Sequence, residues 1–256
     1  MRPALAAAFR SSHLSTGPLT HLPARPVRFS VFLRFLRHVW PRHRALLLKL
    51  LLGFVGPWFI FVRLAREVWE GEGLPGDQAI LALLHSHATP ALDTLALGLN
   101  RAGGPTGAVV IAAAAALGLL LARPRRAVLF FGLAVGGAQL LNLAAKWLLD
   151  RPRPALWASL APEMSLSFPS GHSMAAAALA TTLAFLLWPT RWRWVTILAG
   201  TIWALGMGWS RMYLGVHYPS DVLAGWVGSV GWVGGLHLLF VPRAEHRGVR
   251  VARRQV

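Results

Sequence analysis

Long apolar stretches, separated by short polar ones, dominate the pattern along the chain. A helix needs roughly 20 mostly apolar residues to cross a bilayer. Six stretches meet this requirement, at 45–65, 106–122, 127–149, 172–188, 192–209 and 221–241. A chain of 256 residues has too little polar sequence to bury six such helices in a soluble core. The pattern therefore predicts an all-α, polytopic membrane protein with six transmembrane helices.

The segment 74–103, between the first two predicted spans, is apolar but interrupted by two histidines, Pro90 and Asp93. If it were a seventh span, the two termini would lie on opposite sides of the membrane, against the charge distribution described below. We therefore predict a short extracytoplasmic helical segment between spans 1 and 2, made of two helices that meet near Thr89–Pro90.

The composition agrees with membrane insertion. Hydrophobic side chains make up 55% of the chain and charged ones 14%, and the mean hydropathy is +0.51; soluble domains carry about 25% charged residues. The absence of cysteine excludes a disulfide framework, thiol catalysis, zinc–thiolate sites and iron–sulfur clusters. The net charge of +17 is unusual for so apolar a chain and raises nucleic acid as an alternative partner to an anionic membrane.

The position of the basic residues separates these two alternatives. Residues 1–44, the loops after the second and fourth spans, and residues 242–256 together hold 18 of the 26 basic residues and one of the nine acidic ones. In a six-span arrangement these segments share one side, and the other eight acids lie on the opposite side. Because positive charge marks the cytoplasmic side, we predict a cell (plasma) membrane protein with both termini in the cytoplasm. The same distribution rejects a nucleic-acid-binding protein.

The predicted regions are a basic cytoplasmic segment at 1–44, a six-span domain at 45–241 and a basic cytoplasmic tail at 242–256. Within the first region, residues 28–44 place Phe29 and Trp40 on one helical face and Arg34 and Arg37 on the other. This pattern is typical of a helix that lies on an anionic membrane surface. The alternatives are a solvated basic tail or an organelle transit peptide. No short apolar core with a cleavage site precedes the first span, so we do not expect a cleaved signal peptide.

A few basic residues on the predicted outer side lie at membrane boundaries, where an ionisable side chain is costly and usually functional. They are Lys146, Arg153 and Arg211. Arginine can hold two phosphate oxygens at once, and lysine acts as a point charge. Ser170 and Gly171 precede the fourth span, where free backbone N–H groups and the positive helix end favour an anion. Ser170 could cap that helix, and Gly171 lets the backbone approach closely. These residues predict an anion site.

Two histidines add reactivity to this site. His217 and Asp221 are four residues apart, with Pro219 favouring a helix start between them. Asp221 could accept a hydrogen bond from one ring nitrogen of His217 and leave the other free as a nucleophile. His172 could serve as proton donor and then as base. The alternative for either histidine alone is a structural role at a helix end, so it is the joint set that favours catalysis.

These residues form three short sequence motifs that, in chain order, resemble the signature motifs of the type 2 phosphatidic acid phosphatase (PAP2) superfamily. They read Lys-x6-Arg-Pro from Lys146 to Pro154, Pro-Ser-Gly-His from Pro169 to His172, and Ser-Arg-x5-His-x3-Asp from Ser210 to Asp221. No signature position departs from the pattern. The six-span layout is similar to that of the integral-membrane lipid phosphatases of the family and extends the resemblance to residues 45–241.

This resemblance implies a metal-independent hydrolase of phosphoric esters or diphosphates that uses no cofactor. His217 would attack phosphorus and become a phosphohistidine, and Asp221 would hold His217 in the reactive tautomer. His172 would protonate the leaving oxygen and then activate the water that frees phosphate. The implied phosphate-binding residues are Lys146, Arg153, Ser170, Gly171 and Arg211.

A site at the outer boundary between water and lipid suits a substrate with a lipid tail and a phosphate head. Undecaprenyl diphosphate is slightly preferred, because an outward site would suit recycling of a carrier lipid; phosphatidylglycerol phosphate and phosphatidic acid are the alternatives. An anion transporter without catalysis would use the three cations but would not require both histidines and Asp221 at these spacings. The vanadium-dependent haloperoxidases share the anion pocket but are soluble, which the six spans argue against.

Other polar residues near the motifs have weaker interpretations. Asn142, one turn before the motif lysine, is expected to form a hydrogen bond near it or a contact inside the helix bundle. Asp150 and Arg151 are expected to form a local ion pair or to contact an entering substrate. His85 and His87 are interpreted as surface or lid residues, because a metal site would need further ligands.

Overall fold

The computed structural model describes residues 44, 46–71 and 73–240 of the chain, and within them all regular structure is helical. The helices are α1 (Leu46–Trp69), α2 (Asp77–Ser86), α3 (Pro90–Gly103), α4 (Pro105–Ala122), α5 (Arg125–Leu149), α6 (Gly171–Leu187), α7 (Arg193–Tyr213) and α8 (Pro219–Phe240). The all-α prediction is confirmed for this part of the chain. The predicted surface helix at 28–44, apart from its last residue, and the tail at 242–256 lie outside the described residues.

Among the described helices, α1, α4, α5 and α8 are long and apolar enough to cross a bilayer. Helix α6 is apolar but has 17 residues, and α7 has 21 residues of more mixed composition. Spans 1, 2, 3 and 6 are thus supported by length and hydropathy, whereas spans 4 and 5 stay predictions. Helix α6 differs from the four by its length alone, whereas α7 carries Arg193 at its start and Arg211 near its end, and these charges lower its mean hydropathy.

Helix α1 packs along a glycine-lined face of α8. A Cβ atom at Gly228 or Gly231 would lie 3.0 Å from the ring of Phe61 or Trp58. Small residues let two helices approach closely where hydrophobic burial alone does not drive them together. A π-helical turn at Leu51–Val55 interrupts α1 near its start, on the part of the helix that also packs against α8.

The segment 74–103 forms two helices, as predicted, and they meet at the predicted place. The Thr89 side chain accepts a hydrogen bond from the Leu92 N–H (3.3 Å) and so caps α3, whose first residue is Pro90. Tyr213, at the end of α7, donates its hydroxyl hydrogen to Asp93 (2.6 Å). Helix α3 is therefore fixed to α7 at the end of the bundle where the motif residues lie.

The starts of α6 and α8 also meet at this end. Gly225 allows the approach, because a Cβ atom there would lie 2.9 Å from the Ser170 carbonyl oxygen and 3.1 Å from the Met174 nitrogen. The Ser170 N–H donates to the Asp221 carbonyl (3.0 Å), which joins the two helix starts directly. An irregular segment, residues 150–170, links α5 to α6 and lies over the same end.

Candidate active site

The predicted site residues converge although they come from separate parts of the chain. Lys146 ends α5, Arg153 lies in the segment after it, and Arg211 ends α7. A cavity of about 630 Å³ is lined by Lys146, Gly171, His172 and His217 together with many apolar side chains. Three regions that are far apart in sequence thus share one cavity.

His217 lies in the turn between α7 and α8 and is almost fully buried. Its Nδ1 is 3.5 Å from Asp221 Oδ2, and its Nε2 is 3.1 Å from Arg153 Nη1. A guanidinium only donates hydrogen bonds, so Nε2 is the accepting nitrogen and the ring proton belongs on Nδ1, facing Asp221. The ring therefore has the tautomer that a nucleophilic Nε2 requires.

Burial, reinforced by the positive charge of Arg211, lowers the pKa of His217 to about 4, although Asp221 acts in the opposite direction. The imidazole is therefore neutral at neutral pH and keeps its lone pair. A neutral, buried histidine with an oriented carboxylate partner is equipped for nucleophilic attack.

Asp221, at the start of α8, is fully buried and held from several sides. Its Oδ2 accepts hydrogen bonds from the Ser167 hydroxyl (2.6 Å) and the Tyr218 N–H (2.9 Å). Its Oδ1 accepts from Arg151 Nη1 at 2.6 Å. The orientation of the carboxylate toward His217 is thus fixed by its surroundings.

Each of the three predicted cations donates hydrogen bonds to the segment 150–170, although Arg211 Nε is buried without a hydrogen-bond partner. Lys146 Nζ donates to the Leu166 carbonyl (2.7 Å) and to Ser165 Oγ (3.1 Å). Arg153 donates to the Ser165 carbonyl at 2.6 Å. Arg211, whose side chain is fully buried, donates to Asn100 and to Glu163.

Ser170 and Gly171 lie at the start of α6, as predicted. Ser170 is fully buried; its hydroxyl accepts a hydrogen bond from Ser173 Oγ at 3.0 Å and weakly caps the helix. A Cβ atom at Gly171 would lie 3.1 Å from Asn142 Oδ1. Asn142 donates to the Pro169 carbonyl (2.9 Å), so its buried side chain bonds the segment that leads into α6 rather than another span.

His172 follows on the first turn of α6 and borders the same cavity as His217. Its Nδ1 is 4.0 Å from Glu163 Oε1. The cavity thus has one histidine, His217, next to a carboxylate of α8, and a second, His172, that faces a carboxylate of the segment 150–170.

Glu163 is a site residue that the sequence did not predict. Its carboxylate bonds Arg153 Nη2 (2.6 Å) and Arg211 and borders the cavity. Burial acts to raise the pKa of Glu163, but Arg211 and Arg153 outweigh it and lower the pKa to about 2. The ionised carboxylate therefore lies between two arginines that were predicted to bind phosphate. No motif spacing marks this residue, which lies in an irregular segment.

Arg151 departs from its predicted local pairing with Asp150. Its guanidinium is buried and bonds Asp77 and Asp221 instead. Asp150 ends α5 in a left-handed conformation, with φ of 41°. The reason is that Arg151 reaches Asp77 of α2 and Asp221 of α8, which are distant in sequence, and these two carboxylates take the place of the neighbouring one.

The His85–His87 pair lies apart from the cavity. The His85 ring stacks on Trp157, with centroids 4.1 Å apart, and His87 Nδ1 lies 2.9 Å from the Leu83 carbonyl. In the part of the chain that the structure describes, no group of three or more potential ligands is placed to hold a metal ion.

Comparison with known proteins finds relatives of this chain in one family. A sequence model described as the PAP2 superfamily matches residues 127–245. Phosphatidylglycerophosphatase B of Bacillus subtilis (strain 168) is 32% identical over 177 residues, which are 67% of this chain and 86% of that protein. Undecaprenyl-diphosphatase of Sulfolobus acidocaldarius is 44% identical over 61 residues, which are 24% of this chain and 27% of that protein.

A solved structure is similar over a greater length. It is the crystal structure of the first transmembrane PAP2 type phosphatidylglycerolphosphate phosphatase from Bacillus subtilis. The TM-score is 0.64 at 27% identity, and the match covers 74% of this chain and 97% of that one. The likeness thus extends well beyond the motif residues to the helical bundle that carries them.

Proposed function

This chain belongs to the PAP2 superfamily, and from that premise we propose that it is a multi-pass membrane phosphatase that removes phosphate from a lipid phosphate or diphosphate without a metal ion. One observation carries the proposal. His217 is buried and neutral, with Asp221 at Nδ1 and an arginine at Nε2, on the wall of a cavity that His172 and Lys146 share.

In the first chemical step, the lone pair of His217 Nε2 attacks phosphorus. A bond forms between nitrogen and phosphorus, and the bond from phosphorus to the lipid oxygen breaks. His172 enters this step as the imidazolium, its charge balanced by the phosphate anion that it faces, and gives its proton to that oxygen as it leaves. The products are a phosphohistidine and the dephosphorylated lipid, and Asp221 balances the positive charge that the ring of His217 acquires.

The second step regenerates the enzyme. His172, now neutral, takes a proton from water, and the resulting hydroxyl attacks phosphorus while the bond to Nε2 breaks. Lys146, Arg153 and Arg211 stabilise the charge that builds on the phosphoryl oxygens in both steps, together with the backbone at Ser170 and Gly171. Arg153 leaves Nε2 for the phosphoryl oxygens when substrate enters.

The rest of the cavity supports a lipid substrate. Away from the histidines its wall is mostly apolar, apart from Gln139, and is built from α4, α5, α6 and α7, with Val109, Val135, Leu179 and Trp203 among the lining residues. A cavity with polar and charged side chains at one end and a mostly apolar wall at the other matches a phosphate that is attached to a hydrocarbon tail.

Two substrates have specific support. The similarity to phosphatidylglycerophosphatase B covers most of that protein and favours phosphatidylglycerol phosphate. The shorter similarity to an undecaprenyl-diphosphatase, and an outward site, favour undecaprenyl diphosphate, the substrate preferred from the sequence. We place the site on the extracytoplasmic side, with six spans and both termini in the cytoplasm, because the basic residues flank the spans on the opposite side.

A substrate panel tests the proposal. Purified protein in detergent with EDTA is given phosphatidylglycerol phosphate, undecaprenyl diphosphate or phosphatidic acid, and released phosphate is measured. Release from at least one lipid is expected, with a higher kcat/KM for a lipid than for a phosphate ester without a tail. No release from any lipid, or release only after magnesium is added, would contradict the proposal.

A further inference from the structure

Arg151 lies two residues before Arg153, but its guanidinium points away from the cavity and into the protein. Nη1 donates to Asp221 Oδ1 (2.6 Å) and to Ser220 Oγ (2.7 Å), and Nη2 donates to Asp77 Oδ2 (3.0 Å). The Tyr218 ring covers the guanidinium at 4.1 Å. Both terminal nitrogens of Arg151 are thus bonded on the side of Asp221 that is remote from His217.

Asp77, the first residue of α2, completes the arrangement. Its Oδ1 accepts the Ser220 N–H (3.0 Å), and its Oδ2 accepts the Ser220 hydroxyl (2.5 Å). Asp77, Arg151, Ser220 and Asp221 are all buried. A buried guanidinium between two buried carboxylates is therefore held by directional bonds at both ends, and the start of α2 is tied to the start of α8.

The two oxygens of Asp221 have separate partners as a result. Oδ1 faces Arg151, whereas Oδ2 faces the side of His217, with Nδ1 at 3.5 Å. Without the Arg151 contact, Asp221 would be held only at Oδ2, by Ser167 and Tyr218, and would be a buried charge with no arginine against it. Because orientation by a carboxylate sets which ring nitrogen of a histidine carries the proton, the Arg151 contact bears on the reactivity of His217.

We propose that Arg151, itself held by Asp77, is a positioning residue of the phosphatase: it fixes Asp221 so that Asp221 can orient His217. The inference rests on the proposed function. It assigns Arg151 no contact with substrate, in contrast to Arg153, and it gives the segment 74–103 a part in the site through Asp77.

Three variants at Arg151 and Asp77 test this role through separate kcat and KM values. Arg151→Gln is expected to lower kcat by about 10- to 100-fold, the usual effect of an outer partner of a functional histidine, and to leave KM within about threefold. Arg151→Lys restores one cation and is expected to recover part of kcat. Asp77→Asn is expected to lower kcat by a smaller factor than Arg151→Gln. The double variant Asp77→Asn/Arg151→Gln is expected to lower kcat by less than the product of the two single-variant factors, because both substitutions act through one contact.

A control variant and a second variant test whether a loss of kcat comes from the contacts of Arg151. Arg63→Gln removes an exposed arginine that pairs with Glu67 on α1 (2.8 Å) and is expected to change neither kcat nor KM. If Arg151→Gln does not fold, Ser220→Ala removes the shared hydroxyl without leaving a charge unpaired and is expected to lower kcat alone. Folding of each variant is checked by size exclusion in detergent.

The results separate this inference from the proposed function. If the wild type releases phosphate and Arg151→Gln keeps the full kcat, the positioning role alone is overturned. A change in KM without a change in kcat, or an Arg151→Lys variant that recovers no kcat, would overturn it too. A wild type that releases no phosphate from any lipid overturns the proposed function instead.

Discussion

The Glu163 carboxylate bonds Arg153 and Arg211, the two arginines that we propose to bind the phosphoryl group. Under that proposal an incoming phosphate displaces Glu163, because two anions that share one pair of arginines repel each other. Glu163→Gln removes the competing charge, an effect of about 1 kcal/mol at a partly exposed ion pair, and is expected to lower KM about fivefold.

Steady-state kinetics on a lipid phosphate, with inorganic phosphate as a competing inhibitor, measure this change. Glu67→Gln is the matched control, since Glu67 also pairs with an arginine but on the outside of α1. A KM that rises in Glu163→Gln would mean that the carboxylate holds the arginines in place for the substrate rather than competing with it.

The low pKa of His217 has a consequence for the pH dependence of the reaction. Burial and Arg211 lower that pKa from its usual value of 6.5 to about 4, so the neutral, nucleophilic ring predominates above pH 4 and is lost as the pH falls through 4. After correction for the ionisation of the substrate, kcat/KM is expected to show no loss due to His217 between pH 7 and pH 5, and an acid limb near pH 4. An acid limb near pH 6.5 in the corrected profile would contradict the prediction, because His217 would then titrate as a free imidazole does.

Residues whose role depends on fixed spacing could be predicted from the sequence. His217 and Asp221 are one helical turn apart, and Ser170 precedes a helix, so their local geometry follows from the chain itself. Glu163, Asn100 and Asp77 could not be predicted, because each reaches the site through a long-range contact. The predicted ion pair of Arg151 with Asp150 was wrong for the same reason: its partners, Asp77 and Asp221, are distant in sequence, whereas Asp150 is adjacent.

At the scale of helices, the approach of α8 to α6 sets the distance between Ser170 and Asp221. Gly225→Val would place side-chain atoms against the Ser170 carbonyl and the Met174 nitrogen, where a single Cβ already lies at 2.9 Å and 3.1 Å. Overpacking of this kind costs about 1–3 kcal/mol. We expect a lower temperature of thermal unfolding in detergent and a large loss of kcat.

Gly132→Val is the matched control for this substitution. Gly132 lies in α5, also within an apolar helix, and a Cβ atom there has nothing within 4 Å. The control is expected to keep the activity and thermal stability of the wild type. Equal behaviour of the two valine variants would show that the approach of α8 to α6 does not control the site.

Hydropathy predicted the positions of the helices well, but it could not establish how many of them span the membrane. Helices α1, α4, α5 and α8 have the length and the apolar composition that the prediction required. Helix α7 carries Arg193 at its start and the buried Arg211 near its end, which lower its hydropathy. Helix α6 is apolar but has 17 residues, so its length rather than its composition leaves its span a prediction.

At the scale of the whole molecule, the orientation in the membrane can be tested with single cysteines, because the chain has none of its own. Met164, in the covering segment, is fully exposed, and Met164→Cys is expected to react in intact cells with a reagent that cannot cross the membrane. Arg123→Cys, in the loop after α4, is expected to react only after the cells are opened. The reverse pattern would place the site in the cytoplasm.

The most direct test of the central claim is the fate of phosphate at His217. Wild-type protein and His217→Gln, both in EDTA, are mixed with lipid phosphate labelled with ³²P, and samples are quenched in alkali, in which phosphohistidine survives. We predict phosphate release and a labelled histidine in the wild type, and neither in a folded His217→Gln protein, with turnover reduced at least about 10³-fold. Turnover near the wild-type rate in His217→Gln, or a label on another residue, would contradict the account.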